Sequence, residues 1–83
     1  MRGQFAEQMA PYFPDFPAKP SELIFVGKPI DFIAFEGMDE GSVGAISFIE
    51  VKTGNARLSK RQQQIKDVVE KGRVRFKQYR AKV

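Results

Sequence analysis

The stretch that decides the fold is residues 30–52, IDFIAFEGMDEGSVGAISFIEVK. Two apolar runs with strand-like composition are joined by a glycine-rich polar loop, which is typical of a β-hairpin. Charged residues occur where a buried strand should have none: Asp31 lies in the first run, and Glu50 and Lys52 close the second. Residues two apart on a strand share a face, with Cα atoms roughly 6–7 Å apart. If the two runs pair, the stretch predicts that these three side chains meet on one face of a sheet.

Two carboxylates beside a lysine are the components of a site for a divalent metal and a phosphate. Hard cations such as Mg²⁺ prefer carboxylate oxygens, backbone carbonyls and water, so Asp31, Glu50 and the carbonyl of Val51 are candidate ligands. A metal held there polarises a phosphoryl oxygen and activates a bound water. Lys52 is expected to position that water or to stabilise charge on the phosphate oxygens. The pattern predicts phosphodiester hydrolysis; the alternative is a buried ion pair without chemistry, although burying three charges in an apolar sheet is costly.

The length and composition restrict the remaining possibilities. Eighty-three residues predict one small domain over 1–83. The chain contains no cysteine and no histidine, which excludes disulfides, histidine zinc sites and Ser-His-Asp triads. No apolar run is long enough for a membrane-spanning helix, and the N-terminus has no signal-peptide core. The composition suits a cytoplasmic protein.

The net charge of +4 conceals a division along the chain. Residues 1–51 hold three basic and eight acidic residues, whereas residues 52–83 hold eleven basic and two acidic residues. A cationic segment of this kind is typical of a protein that binds a polyanion. The alternative is a solvated surface that keeps the protein soluble, but solubility alone would not segregate the two signs.

The N-terminal third is predicted to be a short helix followed by a connector. Residues 2–10 are expected to form the helix, with Glu7 as a solvated residue away from its apolar face. Prolines recur at a strict spacing of three in residues 11–22, which fits a polyproline II segment. We expect an extended connector whose aromatic side chains pack on the core. The alternative is a ligand for an aromatic groove such as that of an SH3 domain.

The rest of the chain is predicted to complete an α/β domain. Strands are expected over 23–26, 30–35 and 45–52, with the third strand central and covered on both sides. A helix over 60–71 begins with the capping box formed by Ser59 and Gln62. The alternation in 73–77 predicts a fourth strand with a basic outer face, parallel to the third strand after a β-α-β crossover. The predicted order is α-β-β-β-α-β with a mixed sheet.

Four short motifs carry a resemblance to a known family: GKPIDF at 27–32, EVK at 50–52, KTG at 52–54 and LSKRQ at 58–62. With the element order, Asp31 and EVK resemble the core of the PD-(D/E)xK nuclease superfamily. The combination resembles the Holliday junction resolvase-related endonuclease domain over nearly the whole chain. The resemblance implies a restriction-endonuclease-like core and a Mg²⁺-dependent DNA endonuclease, with Asp31 and Glu50 as metal ligands and Lys52 as the catalytic lysine. We expect Mn²⁺ to substitute for Mg²⁺.

The same resemblance adds two residues to the site. Such nucleases often carry a glutamate on the first helix and a glutamine on the helix after the lysine, and Glu7 and Gln62 match those positions. Ile30, rather than proline, directly precedes Asp31, which departs from the motif. Branched DNA is the implied substrate, and a homodimer is expected because two opposed strands of a junction must be cut. The alternative from another class is a noncatalytic DNA-binding module on the same fold.

Basic residues in the last third of the chain are expected to contact the DNA backbone. They lie around the start of the second helix, along it and in the segment after it. They are Arg57, Lys60, Arg61, Lys66, Arg73, Arg75 and Lys77. Contacts of this kind position DNA without reading its sequence.

Overall fold

The computed structural model describes residues 3–82, which form a small α/β domain of two helices and three strands. The helices and strands are α1 (Gly3–Met9), β1 (Leu23–Phe25), β2 (Phe32–Glu36), β3 (Ala45–Ile49) and α2 (Lys60–Glu70). Single-turn 3₁₀ helices lie at Ala10–Tyr12, Pro20–Glu22 and Met38–Glu40. Residue 2, the predicted start of the first helix, lies outside the described residues. No helix within 3–82 is long and apolar enough to cross a membrane.

The three strands form one antiparallel sheet in the order β1-β2-β3. The predicted hairpin is present: Phe32 pairs with Ile49, and the register continues to Glu36 opposite Ala45. The prediction that the third strand is central is wrong, because β2 lies in the middle and β3 at an edge. Ile46 on β3 is accordingly exposed.

The core lies around β2 and the N-terminal segment. Phe32 and Ala34 of β2 are buried, as are Ala6 and Ala10. The ring of Phe32 makes edge-to-face contacts with Phe16 and Phe25, with centroids 5.9 and 5.7 Å apart. The contact with Phe16 places the segment 10–17 close to the end of the hairpin that carries Asp31 and Glu50.

The interpretation of residues 11–22 as a polyproline II segment is wrong at its ends. Pro11 and Pro20 lie in 3₁₀ turns, whose ψ angles differ from the polyproline II value near +145°. The backbone is extended at Phe13 (φ −77°, ψ 143°) and at Lys19 (φ −80°, ψ 135°). Tyr12 stays 71% exposed and Phe13 44% exposed, so these two aromatics do not join the core.

The predicted fourth strand is not formed within the described residues, and the expectation of a mixed sheet is therefore wrong for them. Gly72, with φ +70°, follows the C-cap residue Lys71 at the end of α2. The N–H groups of Gly72 and Arg73 bond the carbonyls of Val69 and Val68, which is the Schellman arrangement. After this turn, Val74 lines an apolar groove with Ile65 and Val68 of α2 and Phe48 of β3, but within 3–82 the segment forms no ladder with β3. The chain beyond it is exposed, and Phe76 is 94% accessible.

Candidate active site

The hairpin register places Asp31 directly opposite Glu50. The last ladder pair is Phe32 with Ile49, so one further step brings these two acids face to face at the end of the sheet. The backbone N–H of Asp31 donates to Oε1 of Glu50 at 3.1 Å. In return, the backbone N–H of Val51 donates to Oδ2 of Asp31 at 2.9 Å. Each carboxylate is thus held by the backbone of the opposite strand end.

Asp31 is the most deeply buried charged side chain of this site, with 1% of its surface exposed. Burial raises the pKa of Asp31 above its ordinary value, because it removes water from the carboxylate. The N–H of Val51 acts in the opposite direction, while Glu7 raises the pKa of Asp31 through charge repulsion and a hydrogen bond. Glu7 of α1 is thus near enough to Asp31 to act on its pKa, although helix periodicity alone assigned Glu7 to solvent.

Gln62 connects three parts of the site. Its Oε1 accepts from the backbone N–H of Ser59, and the Ser59 hydroxyl accepts from the backbone N–H of Gln62, so the predicted capping box is present. Its Nε2 donates to Oε2 of Glu50 at 3.0 Å and to the carbonyl of Pro29 at 2.9 Å. The amide therefore joins the start of α2, the turn before β2 and the Glu50 carboxylate.

Lys52 lies next to the same carboxylate. Its Nζ is 3.1 Å from Oε2 of Glu50, and about a third of its side chain is exposed to solvent. Because an ammonium group has three donors, the contact with Glu50 leaves Lys52 able to bond an incoming anion. The structure thus brings together Asp31, Glu50, Lys52 and Gln62, with Glu7 near Asp31.

The oxygen atoms present fit a hard divalent cation. The donors are two carboxylates and the backbone carbonyl of Val51, which are the types that Mg²⁺ takes alongside water. The closeness of Glu7 to the buried Asp31 concentrates negative charge that a cation would offset. Within 3–82, no three acidic side chains gather into a metal-binding group, so the candidate ligand set is the pair Asp31 and Glu50 with Val51.

A cavity of about 270 Å³ opens beside these residues. One wall is formed by residues 49–52 and the other by the segment 10–17, including Phe13 and Asp15. The sequence interpretation treated that segment as a connector and did not assign it to the site. The only feature of the sequence that indicated a position of this segment beside the site was the excess of aromatic residues between the prolines.

The predicted DNA-binding residues are exposed, but the structure gathers only some of them near the site. Arg61 and Ser59 line a cavity of about 360 Å³ with Lys28, which precedes Pro29 and was not among the predicted DNA contacts. Lys66 is paired with Glu70 along α2 at 3.7 Å. The remaining predicted contacts lie on the loop before α2, at its first residue and in the segment after it: Arg57, Lys60, Arg73, Arg75 and Lys77.

Comparison with known proteins identifies one family. The profile described as "endonuclease related to archaeal Holliday junction resolvase" matches residues 1–81. The searches of curated proteins and of solved structures give no match.

Proposed function

We propose that this chain, which belongs to the family of endonucleases related to the archaeal Holliday junction resolvase, is a Mg²⁺-dependent DNA endonuclease that prefers branched DNA. The observation that carries the proposal is the convergence of Asp31, Glu50 and Lys52 at one end of the hairpin. The proposal includes a restriction-endonuclease-like core and a homodimer that cuts two opposed strands. Mn²⁺ is proposed to replace Mg²⁺, because both ions accept carboxylate, carbonyl and water ligands.

Each residue of the site has a distinct role in this proposal. Asp31, Glu50 and the carbonyl of Val51 would hold the ion, which lowers the pKa of bound water and stabilises charge on the phosphate. Gln62 holds Glu50 in position through its hydrogen bond to Oε2. Lys52 donates to a non-bridging phosphate oxygen with the N–H groups that Glu50 does not use, which stabilises the charge that develops during in-line attack. Glu7 adds negative charge next to Asp31.

The exposed basic side chains supply the affinity for DNA. Lys28 and Arg61 line one cavity with the start of α2, where backbone N–H groups and the helix dipole favour phosphate. Positive side chains at this point guide a strand toward Lys52, and those after α2 extend the contact along the duplex. Such contacts release counterions and carry no sequence information.

The first test measures cleavage of a labelled four-way junction and of a linear duplex with the same arms, in Mg²⁺, Mn²⁺ or EDTA. Metal-dependent cutting of the junction is expected, and the Glu50→Ala and Lys52→Ala variants should each cut at least about 10²–10³-fold more slowly. The matched control is the pair Lys19→Ala and Glu40→Ala. Lys19 and Glu40 form an ion pair of the same 3.1 Å length at the opposite end of the hairpin, so both control variants should cut normally.

Two results would redirect the proposal. Binding of the junction without any metal-dependent cutting would show that the protein is a noncatalytic DNA-binding module and not an enzyme. Equal cutting of junction and duplex would keep the nuclease and remove the preference for branched DNA.

A further inference from the structure

We propose that the cavity beside Glu50 and Lys52 is a subsite for one unpaired nucleobase of the DNA, with Phe13 as its stacking surface. This inference rests on the proposed function and specifies which feature of branched DNA the protein recognises. The cavity shares Glu50, Val51 and Lys52 with the candidate active site and is lined on its other side by five residues of the segment 10–17. A base seated there is therefore adjacent to the phosphate held at Lys52.

The two phenylalanines of this wall have different environments. Phe16 is fixed by its edge-to-face contact with Phe32, 5.9 Å between centroids, and belongs to the core. Phe13, three residues earlier, has no such ring partner within the described residues and keeps 44% of its surface exposed while lining the cavity. An aromatic ring that lines a cavity and is open to solvent can stack on any base, because every base has a π face.

The charge of the cavity determines which part of a nucleotide fits it. Asp15 lines the wall near Phe13, and Glu50 lies opposite. The Asp15 carboxylate repels a phosphate group on its side of the cavity but accepts readily from the exocyclic amino group of a base, whereas the charge of Glu50 is offset by Lys52. The phosphate is then held by Lys52 at the edge of the cavity, and the base enters between Phe13 and residues 49–51.

The size of the cavity favours a single unpaired base. Its volume of about 270 Å³ lies just under the range of roughly 300–1,000 Å³ that is usual for small-molecule sites. A base inside a duplex has both faces covered by its neighbours, and removing it from the stack costs a few kcal/mol unless it is already unpaired. The subsite therefore favours DNA with an unpaired nucleotide, as at a branch that carries a single-stranded flap or gap.

The test uses an oligonucleotide that carries the fluorescent base 2-aminopurine, either unpaired at a branch or paired within a duplex, in EDTA so that no strand is cut. Stacking on an aromatic ring quenches this fluorophore. We expect quenching of the unpaired probe only, and about 5- to 150-fold weaker binding of that probe by Phe13→Ala, which corresponds to roughly 1–3 kcal/mol for one stacked base. Binding of the paired probe should stay within about twofold.

Two further variants test whether binding depends on the aromatic ring of residue 13 itself, and not only on the volume of its side chain or on correct folding. Phe13→Tyr should retain the quenching, and Phe13→Leu should lose it, because leucine fills similar space without a π face. The control is Tyr12→Ala, since Tyr12 is the more exposed neighbour and lines a different cavity. This variant should bind both probes as the unmodified protein does.

Each remaining outcome decides between the two proposals. If Phe13→Ala leaves both affinities unchanged, or lowers both equally, the subsite is overturned while metal-dependent cleavage stands. If Phe13→Ala changes the sedimentation of the free protein instead, the cavity is an interface between copies and the subsite is again overturned. If the unmodified protein neither binds nor cuts any DNA, the proposed function fails together with the subsite.

Discussion

In the absence of a metal ion, the buried charge of Asp31 lowers the free energy of unfolding at neutral pH. The side chain is buried, and burial together with Glu7 raises its pKa above the ordinary value, which is about 3.9 in an unfolded chain. Between that value and the raised pKa, the folded state binds more protons than the unfolded state. The free energy of unfolding therefore falls as pH rises through this window, and acidification from neutral pH restores it.

Asp31→Asn should stabilise the protein in EDTA while abolishing metal-dependent cleavage. The carbonyl oxygen of asparagine can still accept from the N–H of Val51, and its amide can donate to Glu7. At pH 7 the melting temperature should rise by roughly 4–8 °C for each 1 kcal/mol gained. This increase in melting temperature should become smaller as the pH falls through the raised pKa of Asp31, and it should vanish below about pH 3.9.

Asp67→Asn is the matched control for this substitution, because Asp67 is exposed on α2. Asp67→Asn should change the free energy of unfolding by no more than about 0.5 kcal/mol at all pH values. Thermal unfolding of both variants between pH 4 and pH 8 provides the comparison. A lower melting temperature of Asp31→Asn at pH 7 in EDTA would contradict the electrostatic account.

Gln62 should matter for stability as well as for cleavage. Gln62→Ala removes the bonds to Ser59, Pro29 and Glu50, each worth about 0.5–1.5 kcal/mol. Denaturant titration should therefore show a loss of roughly 1.5–4.5 kcal/mol, and the cleavage rate should fall because Glu50 loses its support. Gln64→Ala, an exposed position on the same helix, should change neither quantity; equal stability of the two variants would refute the role of Gln62.

Strand geometry was sufficient to predict that Asp31, Glu50 and Lys52 lie together. It was not sufficient to predict every side chain that contacts them. The meeting of Asp31 with Glu50 follows from hairpin pairing, and the spacing of Glu50 and Lys52 follows from the period of a strand. The capping box of Ser59 and Gln62 is equally local. The bonds of Gln62 to Glu50 and Pro29, and the approach of Glu7 to Asp31, depend on how the helices pack on the sheet, which local pattern does not specify.

At the scale of elements, the period of a strand identifies its two faces but not its neighbours. The apolar start of β3 was consistent with a central strand, yet β2 takes that place because β1 pairs with it on the other side. The alternation at 73–77 was equally consistent with a strand. A strand also needs a partner edge, and within 3–82 the segment after α2 lines a groove beside the helix without forming a ladder with β3.

The loop between β2 and β3 depends on Gly37. Its φ is +94°, and a Cβ atom added there would lie 2.1 Å from the carbonyl oxygen of Ser42. The N–H groups of Gly37 and Asp39 also bond the buried Glu22 carboxylate at 3.0 Å. A side chain at Gly37 would therefore strain the backbone and displace the anchor that holds Pro20–Glu22 against the loop.

Gly37→Ala should lower the free energy of unfolding by more than Gly41→Ala. Gly41 also has positive φ, at +82°, but a Cβ there meets no atom within 4 Å, so its cost should be about 1–2 kcal/mol from backbone strain alone. Gly37→Ala adds the clash with Ser42 to that cost. Chemical denaturation of both variants measures the difference, and equal costs would show that the loop shifts without penalty.

At the scale of the whole molecule, the two signs of charge occupy different parts of the fold. The 3₁₀ turn at Met38–Glu40 and the buried Glu22 make the loop end of the hairpin acidic, while α2 and the segment after it carry most of the basic residues. The site lies at the other end of the hairpin, next to the start of α2. The basic residues of α2 therefore attract a polyanion to the helix beside the site, and the acidic loop repels it.

The segment after α2 should contribute to DNA binding and very little to stability. Replacing Arg73, Arg75 and Lys77 with glutamine removes three exposed charges, while the backbone bond from Arg73 to Val68 remains. The dependence of log affinity on log salt should become shallower by about 0.9 for each phosphate that the variant no longer neutralises, and the melting temperature should stay nearly constant. Lys19→Gln, which removes an exposed charge paired with Glu40, should leave the salt dependence unchanged. An unchanged salt slope in the triple variant would place the DNA elsewhere, on Lys28 and the start of α2, and would assign this basic segment to solubility.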